Sequence, residues 1–206
     1  MMRFSTISFV FILLFVSCGI PTIKGLPEQS LTITEFTNPY FSNGDIDYVY
    51  KAKINAYGNT FGGILIIKKI KDSNHRIVFT TNFGNKIFDF ELTNNDIKVH
   101  YIMENLNRKI IIKTLKNDFT TLTQEHNKID KAFKKGERYT VYQSKLKNRY
   151  NHFFIDKESR MLQKIVLTNK VKEITTFKFK GLKENTVGEI FIKHNSIALR
   201  IGLQKL

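Results

Sequence analysis

The stretch VFTTNFGNKIFDFEL, residues 78–92, predicts a β-hairpin with an aromatic residue at its tip. In its second half Phe88, Phe90 and Leu92 share one face, the period of a half-buried strand. The preceding Asn-Phe-Gly-Asn is typical of a hairpin connection, because Asn and Gly adopt positive φ at little cost. A turn tip faces water, so Phe83 would lose the burial energy that a phenylalanine normally gains. Either another segment covers Phe83, or its exposure has a use.

Segments on both sides of this hairpin repeat the alternation and predict about eleven strands. The first is YVYKAKINAY (48–57), the fifth is DIKVHYIM (96–103), and six more follow residue 137. Between the fifth and sixth strands, NRKIIIKTLKNDFTTLTQ (107–124) has apolar residues at helical spacing. HNKIDKAFKKG (126–136) repeats this spacing and predicts a second helix that ends at its glycine. The regular strand spacing favours an antiparallel sheet that curls around its own apolar face.

Composition is that of one globular domain with a strongly basic surface. The 206 residues are 42% hydrophobic and 25% charged, which suits a sizeable core. A net charge of +15 indicates acidic partners such as phosphates or anionic lipid headgroups. Lysines are spread over most of the predicted strands, however, without the aromatic-interleaved patch that binds nucleic acid. We therefore favour a solvated basic surface and no nucleic-acid partner.

The N-terminus predicts a lipoprotein. Residues 7–16, ISFVFILLFV, are too short to span a bilayer of about 30 Å but fit the apolar region of a signal peptide. Cys18, the sole cysteine, follows directly and resembles the lipidated residue of the bacterial lipobox. We expect a signal peptide at 1–17, an acylated Cys18 with a flexible tether over 18–46, and the folded domain over 47–206. The alternative is an ordinary secretory signal with an incidental cysteine.

The domain resembles the LolA/LolB family of the lipoprotein-localisation system. The similarity rests on the strand, Thr-Asn, apolar residue, Gly, strand pattern of residues 78–92, and on the closing KHNSIALRIGLQKL. It implies a mainly β, unclosed antiparallel β-barrel with a helical lid inserted after the fifth strand and an apolar cavity for acyl chains. Phe83 matches the tip residue that LolB-type receptors use for insertion into the membrane, and Cys18 favours the LolB type.

The resemblance also implies a location and partners. We expect a monomer anchored in the outer membrane, on its periplasmic face, which receives acylated lipoproteins from a periplasmic LolA-like carrier. Burial of acyl chains stabilises such a complex by roughly 0.8 kcal/mol per CH₂ without specific chemistry. The inward positions of the strands predict the lining of the cavity: Tyr50, Ile54, Leu65, Ile67, Ile77, Phe79, Phe88 and Phe90. The alternative is that these side chains fill a dry core, as in most small β-barrels.

Catalytic and metal-binding readings are weak. The five histidines are scattered without metal-ligand spacing, and a single cysteine provides no thiol pair. Asp89 and Glu91 share one strand face, but a water-facing edge explains them better than paired catalytic carboxylates. We predict neither an enzyme nor a cofactor. A lipid-binding or structural envelope lipoprotein without transfer activity is the alternative function, and an enzyme acting on lipid or glycan is a third for which we find no residues.

Overall fold

A computed structural model of the chain describes residues 20–93 and 96–206. They form fifteen strands, one α-helix and a 3-10 turn at Glu104–Leu106. The helix is α1 (Lys109–Thr123). The strands are β1 (Glu28–Gln29), β2 (Glu35–Thr37), β3 (Asp47–Ala56), β4 (Asn59–Lys71), β5 (Asn74–Thr80), β6 (Lys86–Thr93), β7 (Asp96–Ile102), β8 (His126–Lys128), β9 (Lys131–Lys135), β10 (Tyr139–Leu146), β11 (Arg149–Asp156), β12 (Leu162–Thr168), β13 (Glu173–Lys183), β14 (Thr186–His194) and β15 (Leu199–Lys205).

Thirteen strands form one antiparallel sheet in the order β1-β9-β10-β11-β12-β13-β14-β15-β3-β4-β5-β6-β7. Its edge strands β1 and β7 are not paired with each other, so the barrel is unclosed. Strands β2 and β8 pair separately. The eleven predicted strands are β3–β7 and β10–β15, and α1 follows the fifth of them. The predicted fold class is confirmed.

The long strands form because apolar side chains recur at every second position. In β3, all five inward residues from Tyr48 to Ala56 are buried, whereas the residues between them are exposed or half-buried. β15 pairs with β3 so that the inward residues of the two strands lie opposite each other, as Ile201 and Ile54 do. At the base of the β5–β6 hairpin, a Cβ on Gly63 would lie 1.8 Å from the carbonyl oxygen of Thr80. Only glycine allows the two backbones to approach so closely.

The predicted second helix at 126–136 is wrong. This segment forms β8 and β9 instead. Ala132 and Phe133 are both buried because β9 lies between β1 and β10, and each residue has apolar neighbours on its own face. Two adjacent buried residues are also found in amphipathic helices, and this segment is too short for its apolar spacing to distinguish a helix from a strand. Gly136 has a φ of +57° and belongs to the turn that leads to β10.

The folded chain also begins before residue 47, where we placed the domain boundary. Residues 28–29 pair with β9, and residues 35–37 pair with β8. Tyr40 and Phe41 are buried inside the barrel. The segment that we expected to be a tether over 18–46 therefore contributes strands and core aromatics from residue 28 onward.

Successive hairpins of an antiparallel sheet emerge at alternate ends, which gives the barrel two distinct ends. One end, called the tip end below, carries the connections β3–β4, β5–β6, β10–β11, β12–β13 and β14–β15, and the crossing from β7 to α1. The opposite end carries the connections β4–β5, β9–β10, β11–β12 and β13–β14.

Candidate functional site

The eight predicted lining residues all point into the barrel. Each is at most 2% exposed, and all belong to one apolar cluster. The rings of Phe88 and Phe90 stack with centroids 4.6 Å apart, and Phe79 lies 5.4 Å from Phe88. All eight residues therefore lie on one buried face, and their role as the lining of an acyl-chain cavity stays a prediction. In this conformation these side chains are packed against one another, so an acyl chain can reach them only after the elements that cover them move.

Helix α1 is one of the two elements that cover the inner face. Its buried side contains Ile111, Leu115, Phe119 and Leu122, spaced as expected for an amphipathic helix. The ring of Phe119 lies 6.0 Å from that of Phe88, which places the helix directly over the predicted lining. The helix occupies the place of the predicted lid.

The loop at 38–43 is the second covering element, and sequence analysis did not identify it. The Tyr40 hydroxyl donates a hydrogen bond of 2.8 Å to the carbonyl of Leu162, across the barrel. The ring of Phe41 lies 5.1 Å from that of Tyr48 on the inner face. The Asn38 amide donates to the carbonyl of Leu122 at 2.9 Å and thereby ties this loop to the helix. Helix and loop together fill the space that a ligand would need.

A buried polar pair connects α1 to the barrel wall. His194 Nε2 lies 3.0 Å from Asp118 Oδ1, and His194 Nδ1 lies 3.0 Å from the carbonyl oxygen of Leu199. The carbonyl oxygen of Leu199 can only accept a hydrogen bond, so Nδ1 of His194 is the donor there. At Nε2, His194 donates to an ionised Asp118 or accepts from a protonated one. Burial acts to lower the pKa of His194, but the hydrogen bond and negative charge of Asp118 outweigh it and raise that pKa. Burial raises the pKa of Asp118, against the effect of His194. Because both pKa values are raised, one proton is held in the hydrogen bond between Oδ1 of Asp118 and Nε2 of His194.

This pair lies beside a pocket of about 180 Å³ at the tip end. The pocket opens between α1 and the ends of the four strands β11, β12, β13 and β14. Lys113 and Arg149 supply its positive charge. Its apolar walls are Ile110, Leu167, Ile174 and Ile197. The pocket is therefore lined by the lid helix, by the Asp118–His194 pair and by the strand ends at the rim of the barrel. No signal in the sequence pairs Asp118 with a histidine 76 residues away.

Phe83 stands at the tip of the β5–β6 hairpin with 94% of its surface exposed. The turn is closed by hydrogen bonds from the Thr81 amide to the Asn85 carbonyl, 2.8 Å, and from the Gly84 amide to the Thr81 carbonyl, 3.0 Å. Gly84 has a φ of +84°, a conformation that glycine adopts without strain. The position agrees with the sequence prediction. The role of Phe83 in membrane insertion stays a prediction.

The paired carboxylates of β6 have a structural explanation. Asp89 is buried on the outer face, where it forms salt bridges with Arg76 and with Lys86, the latter at 2.9 Å. Burial acts to raise the pKa of Asp89, but the hydrogen bonds and charges of these two cations lower it below its usual value. Glu91 binds His100 at 2.8 Å. Glu91 also lies 3.4 Å from Nη1 of Arg76, so Arg76 bridges both carboxylates in a structural network.

Over residues 20–93 and 96–206, no group of three or more His, Cys, Asp and Glu side chains is placed to hold a metal ion. Within the same ranges, no helix has the length and apolar character needed to cross a bilayer. Cys18 and the predicted signal peptide at 1–17 lie outside the described residues, so lipidation stays a prediction.

Comparison with solved structures identifies the fold. A LolA superfamily protein from Nitrosomonas europaea superposes with a TM-score of 0.52 at 8% sequence identity, over 82% of this chain and 87% of that one. This chain has the fold of that protein. A domain from Vibrio parahaemolyticus named for outer membrane lipoprotein sorting aligns with a TM-score of 0.46 at 8% identity, over 77% of this chain and 83% of its own. No family model matches the sequence, and none of the curated proteins does.

The resemblance predicted from the sequence is thus confirmed at the level of the fold. In terms of the LolA-like fold, the elements described above are an unclosed barrel, a helix over its inner face and an exposed apolar hairpin tip. The loop at 38–43 and the Asp118–His194 pair are the features of this chain that hold the helix in place.

Proposed function

We propose that the protein is a lipid-anchored receptor of the outer membrane that binds the acyl chains of lipoproteins inside its LolA-like barrel and inserts them into the bilayer. The observation that carries this proposal is Phe83, a large aromatic side chain that is 94% exposed on a hairpin tip. An exposed aromatic gains nothing in the folded monomer, whereas it gains apolar contact when it enters the boundary between headgroups and acyl chains.

Binding requires that the inner face becomes accessible. Helix α1 and the loop at 38–43 cover it through apolar contacts, such as Phe119 on Phe88, and a few polar links, such as Asn38 to Leu122. An acyl chain that displaces them replaces these contacts with its own, at roughly 0.8 kcal/mol per buried CH₂. The N-terminus of α1 lacks a side-chain cap at Arg108, so this end of the lid is the one held by fewer local bonds. We place the opening there.

The proposal includes the predicted anchor and partners. Lipidated Cys18 would hold the protein on the periplasmic face of the outer membrane, and an LolA-like carrier would deliver acylated lipoproteins to it. Release from the barrel needs a competing apolar phase, which the bilayer provides. When the exposed hairpin enters the bilayer, it brings the bound lipoprotein next to the apolar interior of the membrane.

Two variants of Phe83 test the proposal in cells depleted of the wild-type protein. Phe83→Glu should fold and reach the envelope but leave newly made lipoproteins outside the outer membrane, because a charged tip does not enter the boundary region. Phe83→Leu is the matched control and should sustain correct localisation. Fractionation of inner and outer membranes provides the readout. Normal lipoprotein localisation with Phe83→Glu would contradict the insertion role.

A second candidate is a structural or lipid-binding lipoprotein without transfer activity. The filled interior favours it, because all eight inward residues are already packed against side chains of the same protein. Titration of the purified mature protein with a fluorescent lipopeptide separates the two. Saturable binding that an added charge at Phe90 abolishes, in a variant that remains folded, supports the receptor. No binding by the folded wild type supports the structural role.

A further inference from the structure

Charge is distributed unequally between the two ends of the barrel. The connections of the tip end contain one acidic residue, Glu104, within the described residues. Their basic residues are Arg108, Lys147, Lys170 and Lys172. The described connections of the opposite end contain the acids Asp72, Glu137, Glu158 and Glu184 and the bases Arg138, Lys157 and Arg160. The connections of the tip end are therefore basic, whereas those of the opposite end are close to neutral, although Lys71, Lys135 and Lys183 end strands there.

The tip end also concentrates exposed apolar side chains. Phe83 is not alone there, since Val171 in the β12–β13 turn is 66% exposed. Three further large apolar residues of this end are more than a third exposed: Tyr57, Ile110 and Leu146. The opposite end presents two such residues, Ile70, which lies between Lys69 and Lys71, and Leu206. Apolar side chains interspersed with cations are the composition of surfaces that lie in the boundary of an anionic bilayer.

The course of the N-terminal segment gives an independent indication. The Thr22 hydroxyl donates a hydrogen bond of 2.8 Å to a carboxylate oxygen of Glu173, the first residue of β13 and therefore a residue of the tip end. Cys18 precedes Thr22 by four residues, and four residues of chain reach at most about 15 Å. A lipid on Cys18 would therefore leave the protein beside the tip end.

We infer that the whole tip end, and not Phe83 alone, is a docking face for an anionic lipid bilayer. Neighbouring hairpins in the sheet lie about 10 Å apart, so the tips form an arc of contacts around the rim. Docking through this arc brings the pocket between α1 and the strand ends to the membrane surface, with Lys113 and Arg149 at the level of the headgroups. This inference rests on the proposed lipid anchor and deepens the proposed delivery to membranes.

The chain has no tryptophan, so single tryptophans report the orientation directly. Three variants of the full-length protein, Phe83→Trp, Val171→Trp and Ile70→Trp, each replace an exposed side chain. The mature proteins are reconstituted in vesicles of phosphatidylcholine with 30% phosphatidylglycerol, where brominated lipids quench nearby fluorescence. We expect a blue shift and strong quenching for the tryptophans at positions 83 and 171, and emission typical of water at position 70.

Two outcomes contradict the inference, and they differ from each other. Equal quenching at positions 83, 171 and 70, or quenching at 83 alone, overturns the docking face while lipid anchoring stands. Failure of all three proteins to remain on the vesicles overturns the anchor and the docking face together. Acyl-chain binding inside the barrel is measured separately with the lipopeptide, so its outcome does not depend on this experiment.

The cations are tested in the Phe83→Trp background. Replacing both Lys170 and Lys172 with glutamine should lower the ratio of docked to undocked protein by roughly fivefold per lysine in anionic vesicles. It should have little effect in pure phosphatidylcholine. The matched control replaces Lys157 and Arg160 at the opposite end and should leave quenching unchanged. An equal effect of the two pairs would show that net charge, and not the tip end, governs docking.

Discussion

Replacement of Asp118 tests whether the buried Asp118–His194 pair holds the lid helix through a shared proton. In Asp118→Ala, the imidazole still donates to Leu199, but its other nitrogen loses its partner in a buried site. A buried polar group without a hydrogen bond costs about 1–3 kcal/mol. The histidine can become neutral, so the larger penalty of a buried unpaired charge does not apply. For a protein of this size, 1 kcal/mol corresponds to roughly 2–4 °C in Tm. We therefore expect Asp118→Ala to melt about 2–12 °C lower.

Asp118→Asn is the matched control. Its amide can donate to Nε2 of a neutral His194 and preserve the shape of the pair, so at alkaline pH we expect stability close to that of the wild type. The pKa of His194 is raised in the folded protein, so its contribution is fully present below the unfolded pKa of about 6.5 and is lost as pH rises through the folded value. The raised pKa of Asp118 acts in the same direction.

The difference in stability between wild type and Asp118→Asn should therefore be largest at acidic pH and shrink as pH increases. Urea denaturation at pH 5.5 and pH 9 measures it directly. Lys113 and Arg149 are the other basic side chains that line the adjoining pocket. A difference that does not depend on pH, or an equal loss in the Ala and Asn variants at pH 9, would refute the shared proton.

Three further predictions concern stability. Phe83→Ala should change the free energy of unfolding by well under the roughly 3–5 kcal/mol expected for Phe88→Ala, measured by urea denaturation, because only the second side chain is buried; similar losses would show that the tip is covered in solution. Gly63→Ala should lower Tm or prevent folding, since its Cβ would lie 1.8 Å from the Thr80 carbonyl oxygen; an unchanged melting curve would contradict the close approach. Tyr40→Phe should cost about 0.5–1.5 kcal/mol through its lost hydrogen bond to Leu162, and a neutral result would show that the loop is not held there.

The sequence predicted those parts of the fold in which one local pattern extends over many residues. β3 alternates over ten residues and α1 keeps its apolar spacing over fifteen, so each pattern is long enough to distinguish strand from helix. β8 and β9 are only three and five residues long. Over so few residues, the spacing of apolar side chains in a strand cannot be told from that in a helix. Their structure is decided by pairing with β2 and with β1 and β10, which is information from distant parts of the chain.

In the candidate site, too, residues with a local sequence signal were predicted and residues defined by distant contacts were not. Phe83 was identified because Asn and Gly mark a turn, and a turn tip is exposed whatever surrounds it. Tyr40 and Asp118 were missed because the hydrogen-bond partner of each lies far away along the chain. Tyr40 bonds to Leu162, 122 residues later, and Asp118 bonds to His194, 76 residues later. Contacts of this kind depend on the assembled barrel and leave no local pattern.

The pairing of β15 with β3 determines when the domain can become complete. The first long strand finds one of its two neighbours only in residues 199–205, so the two halves of the sheet are joined by contacts that span about 150 residues of chain. Contacts of such separation slow folding, since a long loop must close before any of them forms. During synthesis, β3 keeps an unpaired edge until the last strand has left the ribosome. A domain assembled in this order completes its sheet only once residues 199–205 are available to pair with β3.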